Sequence, residues 1–284
     1  MSDCREYYID AAGYKVAVVE YGNPNGRPVL ALHGWLDNAA SFYQLGQYIS
    51  EIRFIAIDLV GHGFSDHRPK EMPYYIWDNV TDLYGIINAL NLDQVDLIGH
   101  SMGASIAMMF AASFPLKVDN LMFIDGLGPL FYEVDELPQI FSDAIIKREK
   151  MLLRSLKPYG SFDAAVEARA SGRWPVSKEA AEKLMARGLT YTDKGYIWNN
   201  DPKLLLPSLI RFSPEQVQSF IRKVESNAIV IIGEEGARDS IIDPWLDDLT
   251  SSEVVELVGG HHLHLDPPIA KLLASKIDSW ESKK

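Results

Sequence analysis

The segment G-H-S-M-G at residues 99–103 has the residue types best suited to nucleophilic chemistry in this chain. It follows a short apolar run at residues 95–98 and precedes an alanine-rich segment of helical length. A G-x-S-x-G pattern between a buried strand and a helix places the serine on a sharp turn, with its Oγ projecting into a cleft. The two glycines remove side chains that would clash there, and the start of the next helix favours negative charge. The pattern predicts that Ser101 is a nucleophile.

A serine hydroxyl becomes a good nucleophile when a neighbouring base takes its proton. With this type of turn the chain order is serine, acid and histidine, so the base is expected late in the chain. The segment G-G-H-H-L-H at residues 259–264 fits. His261, the first residue after the glycines, is the predicted base, and His262 is the second candidate. His264 is the third, although a packed loop histidine is the preferred interpretation for it. An H-E-x-x-H pattern is absent, so no metal site is predicted.

The base needs an acidic partner that orients the imidazole and stabilises its cation. Asp125, which follows the apolar run at residues 121–124, is one candidate. The loop after the run at 229–232 is the more common place, but Gly236 stands where a G-x-x-D pattern would have its acid. The acidic residues of that loop are Glu234, Glu235 and Asp239. We predict Asp125 and keep the three loop residues as alternatives; a turn or capping role before Gly126 is the competing interpretation of Asp125.

Acyl transfer also requires hydrogen-bond donors for an oxyanion. The main-chain amide of Met102, which follows the serine, is one predicted donor. The loop after an early strand, H-G-W at residues 33–35, supplies the predicted second donor through the amide of Trp35. His33 is interpreted as a structural loop residue, because the reaction needs one base. No cofactor-binding pattern is found in the glycine loop at residues 61–63.

Short apolar runs are expected to position these residues. They lie at residues 29–32, 54–57, 95–98, 121–124, 229–232 and 254–258. Runs of four or five apolar residues are typical of strands buried on both faces. Helix-length segments separate most of them, and a predicted hairpin precedes them at residues 7–20. The alternation indicates a doubly wound α/β sheet, whose functional groups gather at the carboxyl ends of the strands.

One long region breaks this alternation between residues 130 and 225. It has helical patterns at residues 140–153, 162–170 and 178–187, without a clear sheet strand. Long insertions in compact α/β domains usually serve a site. The sequence therefore predicts a helical cap at residues 130–225, inserted between two parts of one core at residues 1–129 and 226–284.

Composition excludes several classes of function. The 284 residues have a net charge of −12, and an acidic chain repels phosphate backbones, so no nucleic-acid partner is expected. The single cysteine, Cys4, makes neither an intrachain disulfide nor a zinc–thiolate site. No apolar run is long enough to span a membrane, and the N-terminus lacks a signal pattern. These features predict a cytoplasmic protein.

The motifs H-G-W, D-x-x-G-H-G-F-S, G-H-S-M-G and G-G-H resemble those of the α/β-hydrolase superfamily over about residues 14–280. In detail, the chain is similar to the serine hydrolase-like (Kraken-type) esterases. The resemblance implies a mostly parallel eight-stranded sheet flanked by helices, with a helical cap, a nucleophile at Ser101 and a base at His261. In some related haloalkane dehalogenases the acid lies after the next strand, four residues before a proline, and Asp125 and Pro129 match that spacing. The serine nucleophile, and Trp35 in place of a halide-binding Asn, disfavour dehalogenase and epoxide hydrolase chemistry.

Residues and resemblance together predict a serine hydrolase that cleaves carboxylic esters of small molecules through an acyl-enzyme. No cofactor or metal is implied, and a monomer or homodimer is expected. Thioesterase, C–C bond hydrolase and perhydrolase chemistry use the same triad and stay open. The alternative from another class is a ligand-binding relative with little turnover, since a fold alone does not determine activity.

Overall fold

The structure is a computed structural model that describes residues 4–152, 157–250 and 252–280. The outer ends of the two predicted core segments, residues 1–3 and 281–284, lie outside the described residues, as does Leu153 at the end of a predicted helix. The described strands, in chain order, are β1 (Arg5–Ala11), β2 (Tyr14–Gly22), β3 (Pro28–Leu32), β4 (Arg53–Ile57), β5 (Val95–His100), β6 (Val118–Ile124), β7 (Leu189–Thr192), β8 (Gly195–Trp198), β9 (Asn227–Glu235) and β10 (Ser252–Gly260).

Eight of these strands form one sheet in the order β1-β2-β4-β3-β5-β6-β9-β10. β1 and β2 form the predicted hairpin, and β2 pairs antiparallel with β4. All other neighbours in the sheet are parallel. The predicted mostly parallel, eight-stranded α/β sheet is therefore confirmed. Each predicted apolar run lies in a strand, and for the inner strands the reason is that a strand covered on both faces needs apolar side chains at nearly every position. The run at residues 254–258 differs from the prediction of a strand buried on both faces: β10 lies at the edge of the sheet, and Val254 and Val258 are exposed.

Helices cover both faces of the sheet. The described helices are α1 (Tyr43–Gly46), α2 (Asp78–Ala89), α3 (Met102–Ser113), α4 (Leu137–Leu152), α5 (Phe162–Ala170), α6 (Lys178–Gly188), α7 (Pro214–Ile221), α8 (Arg238–Ile241) and α9 (Pro267–Asp278). Along β3, Leu30 and Leu32 join the apolar layer of α2, α3 and α7, whereas Val29 and Ala31 join the layer of α1 and α9. This period of two follows from the alternation of side chains along a strand. No helix in the described ranges has both the length and the apolar character needed to cross a bilayer.

The region between β6 and β9 contains α4, α5 and α6, which overlap the predicted helical patterns. It also contains a hairpin that the sequence analysis missed, in which β7 and β8 pair as a separate two-stranded sheet. Tyr159 extends this hairpin through a bridge to Tyr196, with its amide 2.8 Å from the Tyr196 carbonyl oxygen. Among the described residues of this region, β7 and β8 pair with each other and not with the main sheet.

Two different apolar surfaces hold this region. α5 and α6 pack in an apolar cluster separate from the two layers of the sheet, and this cluster includes Tyr43 and Leu265 of the core. α7 instead inserts Val217 and Ile221 into the layer that it shares with α3. Because α7 packs as a sheet-flanking helix, we propose that the cap ends before α7 rather than at residue 225.

The start of α3 lies unusually close to β3. A Cβ on Gly103 would overlap the carbonyl oxygen of Leu32, and a Cβ on Gly99 would overlap the main chain at Gly103 and Ala104. Side chains at these two positions would therefore push the serine turn away from the sheet, which is the steric role that the sequence predicts for both glycines.

We expect Gly103→Ala to lower the free energy of unfolding by about 1–3 kcal/mol or more, because the new methyl group overpacks against the backbone. Alanine is the better helix former by roughly 1 kcal/mol, so helix propensity acts in the opposite direction. Urea unfolding would measure the change. Gly160→Ala is the matched control, since a Cβ there meets no atom within 4 Å; equal stability of the two variants would contradict the packing argument.

Candidate active site

Ser101 lies on the turn between β5 and α3 with a strained backbone. Its φ is +52° and its ψ is −114°, in a region that non-glycine residues rarely occupy. Its amide donates to the carbonyl oxygen of Ile124 at 3.0 Å, and its carbonyl oxygen accepts from Ala104 at 3.0 Å. The strand on one side and the helix on the other hold this conformation. The loop after β6 passes directly beside it, because a Cβ on Gly126 would come within 2.8 Å of the Ser101 Cα.

Asp125 and His261 form a close buried pair. Asp125 follows β6 with φ +43°, and its amide donates to the carbonyl oxygen of Ile231 at 2.8 Å. His261 follows β10, and its Nδ1 donates to Oδ2 of Asp125 at 2.5 Å. Asp125 is fully buried and His261 nearly so. The structure thus brings together two of the residues that the sequence predicts for the site.

The end of β9 and the loop after it surround the Asp125 carboxylate without adding an acid to it. Oδ1 accepts from the Gly233 amide at 3.0 Å, and Oδ2 accepts from the Ala237 amide at 2.7 Å. A Cβ on Gly236 would overlap Oδ1 of Asp125. The glycine at the usual position of the acid is therefore required by the carboxylate that arrives from β6. The alternative acids Glu234, Glu235 and Asp239 are exposed, and the hydrogen bonds of the described residues include none between them and His261.

The histidine of the serine motif holds the predicted base in place. His100 is fully buried, and its Nε2 donates to the main-chain oxygen of His261 at 2.8 Å. The two imidazole rings lie 4.8 Å apart between centroids. Since His100 directly precedes Ser101, this bond ties the loop after β10 to the serine turn. The sequence analysis assigned no role to His100.

The loop after β3 is fixed against the same turn. His33 donates from Nδ1 to the Gly34 carbonyl oxygen at 2.7 Å and accepts the Leu59 amide at Nε2 at 3.0 Å, which is the structural role expected of it. Gly34 packs so closely that a Cβ on it would lie 3.4 Å from the Ser101 Cβ. Among the hydrogen bonds of the described residues, none is donated by the main-chain amides of Trp35 or Met102. Both amides are therefore available to a ligand.

The other two candidate histidines have different partners. His262 donates from Nε2 to Oδ2 of Asp37 at 2.9 Å. His264 is fully buried and shares a 2.9 Å hydrogen bond between its Nε2 and the Ser41 hydroxyl, as expected of a packed loop histidine. Asp37, His100 and His262 present possible metal-ligand atoms within 4.8 Å of one another. The Arg169 guanidinium lies 3.0 Å from both Asp37 and His262, so it supplies the positive charge at this cluster.

Burial keeps His264 and His100 neutral. Burial, with a smaller contribution from neighbouring histidines, lowers the pKa of His264 to about 3. Burial also holds the pKa of His100 well below its ordinary value, again with a contribution from neighbouring rings. Protonating either ring would place a charge in a dry interior, which is costly.

Two tryptophans, one before Ser101 in the sequence and one after it, lie near the site. The Trp174 ring, from the loop after α5, lies 4.6 Å from the His261 ring between centroids. Trp35, 52% exposed, donates from Nε1 to the Leu204 carbonyl oxygen at 3.1 Å. The region between β6 and β9 therefore contacts both the predicted base and the predicted oxyanion loop. The sequence carries no signal for Trp174 or Arg169, whose roles depend on how this region folds back.

Comparison with known proteins places the chain in a family. Residues 27–158 match the family described as alpha/beta hydrolase fold. The chain is 31% identical over 262 residues to a probable serine hydrolase of Drosophila melanogaster, covering 87% of this chain and 79% of the relative. It is 30% identical over 283 residues to serine hydrolase-like protein 2 of Homo sapiens, covering 92% and 90% of the two chains. This chain belongs to the α/β-hydrolase family.

The structural comparison agrees with this assignment. A hypothetical protein from Pseudomonas aeruginosa PAO1 superimposes on this α/β hydrolase with a TM-score of 0.90 at 36% identity, covering 96% of this chain and 99% of that one. The resemblance to serine hydrolase-like proteins that the motifs predict is confirmed. The chain is accordingly a hydrolase of the serine hydrolase-like type.

The buried histidines predict how stability depends on pH. Native His264 stays neutral down to about pH 3, whereas in the unfolded chain it binds a proton below about pH 6.5. The unfolded state then holds more protons, so this residue makes stability fall as pH decreases from about 6.5 toward 3. We expect His264→Gln to reduce that slope by up to about 1.4 kcal/mol per pH unit, measured by urea unfolding at several pH values. His67→Gln, at an exposed histidine, serves as the control; an unchanged slope in His264→Gln would contradict the prediction.

Proposed function

We propose that this α/β hydrolase cleaves carboxylic esters, with Ser101 as nucleophile, His261 as base and Asp125 as the residue that orients the base. The observation that carries the proposal is the 2.5 Å hydrogen bond between His261 Nδ1 and the buried Asp125 carboxylate. His100 holds the same histidine next to the strained serine turn. Nucleophile, orienting acid and base then come from the loops after β5, β6 and β10, at the carboxyl ends of these parallel strands.

The first half of the reaction forms an acyl-enzyme. Ser101 Oγ attacks the carbonyl carbon of the ester while His261 Nε2 takes the hydroxyl proton. The Asp125 carboxylate stabilises the imidazolium that results, and its bond to Nδ1 leaves Nε2 as the nitrogen that accepts the proton. Collapse of the tetrahedral intermediate breaks the C–O bond to the alcohol, which receives the proton from His261.

The amides of Trp35 and Met102 are the proposed donors to the oxyanion of that intermediate. Both are without a protein acceptor among the described hydrogen bonds, and both belong to segments packed beside Ser101. Loss of one such donor typically costs about 2.7–4 kcal/mol of transition-state stabilisation. The start of α3 adds a favourable dipole at the same position.

The second half of the reaction releases the acid. Water attacks the acyl carbon, His261 takes a proton from this water, and the bond to Ser101 Oγ breaks as the serine recovers its proton. We propose that Trp174 borders the position of the departing alcohol, because its ring covers the histidine that delivers the proton. Trp174 would therefore select substrates by the alcohol portion of the ester.

A fluorophosphonate probe tests the nucleophile directly. We expect one adduct per folded chain on the peptide that contains Ser101, detected by mass spectrometry, and none in Ser101→Ala. Ser105→Ala is the matched control, because Ser105 lies buried within α3. Absence of an adduct in folded protein would favour a binding protein over an enzyme. Rates on p-nitrophenyl esters, thioesters and a C–C bond substrate would then separate the hydrolase classes that share these groups.

Substitution of the acids tests the base and its partner. We expect Asp125→Asn to lower kcat on a p-nitrophenyl ester by about 10²–10⁴-fold, because the amide no longer stabilises the imidazolium. Glu235→Gln and Asp239→Asn are expected to retain kcat within about twofold, since the described hydrogen bonds include none between either side chain and His261. Near-full activity of Asp125→Asn, together with loss of activity in Glu235→Gln or Asp239→Asn, would contradict the assignment of Asp125 and indicate that the substituted loop acid orients His261.

A further inference from the structure

A second buried acid–histidine pair lies directly behind the proposed catalytic pair. Asp37 Oδ2 accepts from His262 Nε2 at 2.9 Å, and Asp37 Oδ1 accepts from Arg169 Nη2 at 3.0 Å. All three side chains are at least 87% buried, since their exposed fractions are 5%, 7% and 13% for Asp37, His262 and Arg169. We name this set the Asp37–His262–Arg169 cluster. The ester hydrolysis proposed above does not use it.

Two members of the cluster lie close in sequence to proposed catalytic groups. His262 follows the base His261 directly. Asp37 lies two residues after Trp35, and its amide closes the loop by donating to the Gly34 carbonyl oxygen at 3.1 Å. Leu36 between them has a φ of +64°, so the loop is a tight, strained turn. The hydrogen bond between Asp37 and His262 therefore joins the oxyanion loop to the loop of the base.

Arg169 connects the cluster to the cap. It lies in the last turn of α5, and its Nη2, which donates to Asp37, lies 3.0 Å from His262 Nε2, the nitrogen that donates to the same carboxylate. Its Nη1 donates to the Trp174 carbonyl oxygen at 3.1 Å. Trp174 in turn places its ring against His261. One guanidinium thus reaches three segments, each of which carries or touches a proposed catalytic group.

The charges identify Arg169 as the essential member. Burial by itself would raise the pKa of Asp37, but the hydrogen bond from His262 and the charge of Arg169 outweigh burial and hold this pKa well below its ordinary value. Burial lowers the pKa of His262, so its ring is neutral near pH 7. His100 is neutral for the same reason. Arg169 is then the permanent positive charge beside the buried carboxylate, and its planar fork can serve several acceptors at once.

We infer that Arg169 is a positioning residue for the proposed hydrolysis: through Asp37, His262 and the Trp174 carbonyl, it holds the oxyanion loop and the base in register with Ser101. This inference rests on the proposed function. Without the guanidinium, the buried Asp37 carboxylate loses its cation and the two loops lose their common anchor. Small displacements of a base or an oxyanion donor reduce the rate of the chemical step more than they reduce substrate binding.

The test is Arg169→Met, measured with p-nitrophenyl acetate and with the rate of fluorophosphonate labelling. We expect kcat and the labelling rate of folded protein each to fall by about 10–100-fold, with KM changed less than about threefold. Lys178→Met is the matched control: it removes an exposed cation from the same region, at the start of α6, and is expected to keep both rates within about twofold. A merely structural role would lower the melting temperature and leave the rates of the folded fraction unchanged, which would overturn the inference.

A double variant tests whether Arg169 acts through Asp37. We expect the double variant Asp37→Asn with Arg169→Met to be as active as the less active of the two single variants, because both substitutions remove the same bond between Asp37 and Arg169. A double variant whose loss of activity equals the product of the two single losses would contradict this expectation.

If Arg169→Met does not fold, Arg169→Lys carries the test. Its single ammonium cannot serve all three segments, so a fall in kcat of at least about threefold is expected, and wild-type kcat overturns the inference. Wild-type protein that neither labels nor hydrolyses the ester contradicts the proposed function instead, which separates the two failures.

Discussion

The arrangement of the site depends on one buried carboxylate. Asp125 leaves β6 with a fully buried side chain, and an ionised carboxylate in such a place must have donors around it. The amides of Gly233 and Ala237 and the imidazole of His261 provide them. These contacts fix the path of the loop after β9 and the orientation of the histidine after β10. They also require that position 236 have no side chain.

The sheet explains how such distant residues meet. Parallel strands bring their carboxyl ends to one edge, where the loops after β3, β5, β6, β9 and β10 lie side by side. Histidines then connect neighbouring loops: His33 holds the loop after β3, and His100 holds the loop after β10. Burial keeps His100 neutral, so it donates a hydrogen bond without bringing a charge into the interior. The region between β6 and β9 contacts this edge through Arg169 and Trp174.

Sequence patterns were sufficient where the physical cause is local. Buried strands need runs of apolar residues, and a serine on a tight turn needs glycines, so the sheet and the position of Ser101 could be predicted. The place of Asp125 at a strand end also followed from the pattern, and Gly236 was the clue that the usual loop lacked the acid. The role of Gly236 itself was not evident, because it depends on a carboxylate 111 residues earlier in the chain.

The features that were missed depend on how separate segments pack. The β7–β8 hairpin has four-residue strands with few buried side chains, so its periodicity is weak. Arg169 meets Asp37 across 132 residues, and neither residue type nor spacing indicates that contact. His100 was overlooked because it occupies a variable position of the serine motif, and its partner is a main-chain oxygen that any residue could offer.

The position of His261 after β10 has a consequence for synthesis in the cell. β10 is the last strand along the described chain and lies at the sheet's edge, next to β9. In the proposed mechanism the base therefore arrives late in synthesis, because the ribosome adds roughly 160 further residues after Ser101 before it reaches His261. During that interval the hydroxyl has the reactivity of an ordinary alcohol. For the proposed site, docking of this edge strand is the step that brings the base to the serine turn.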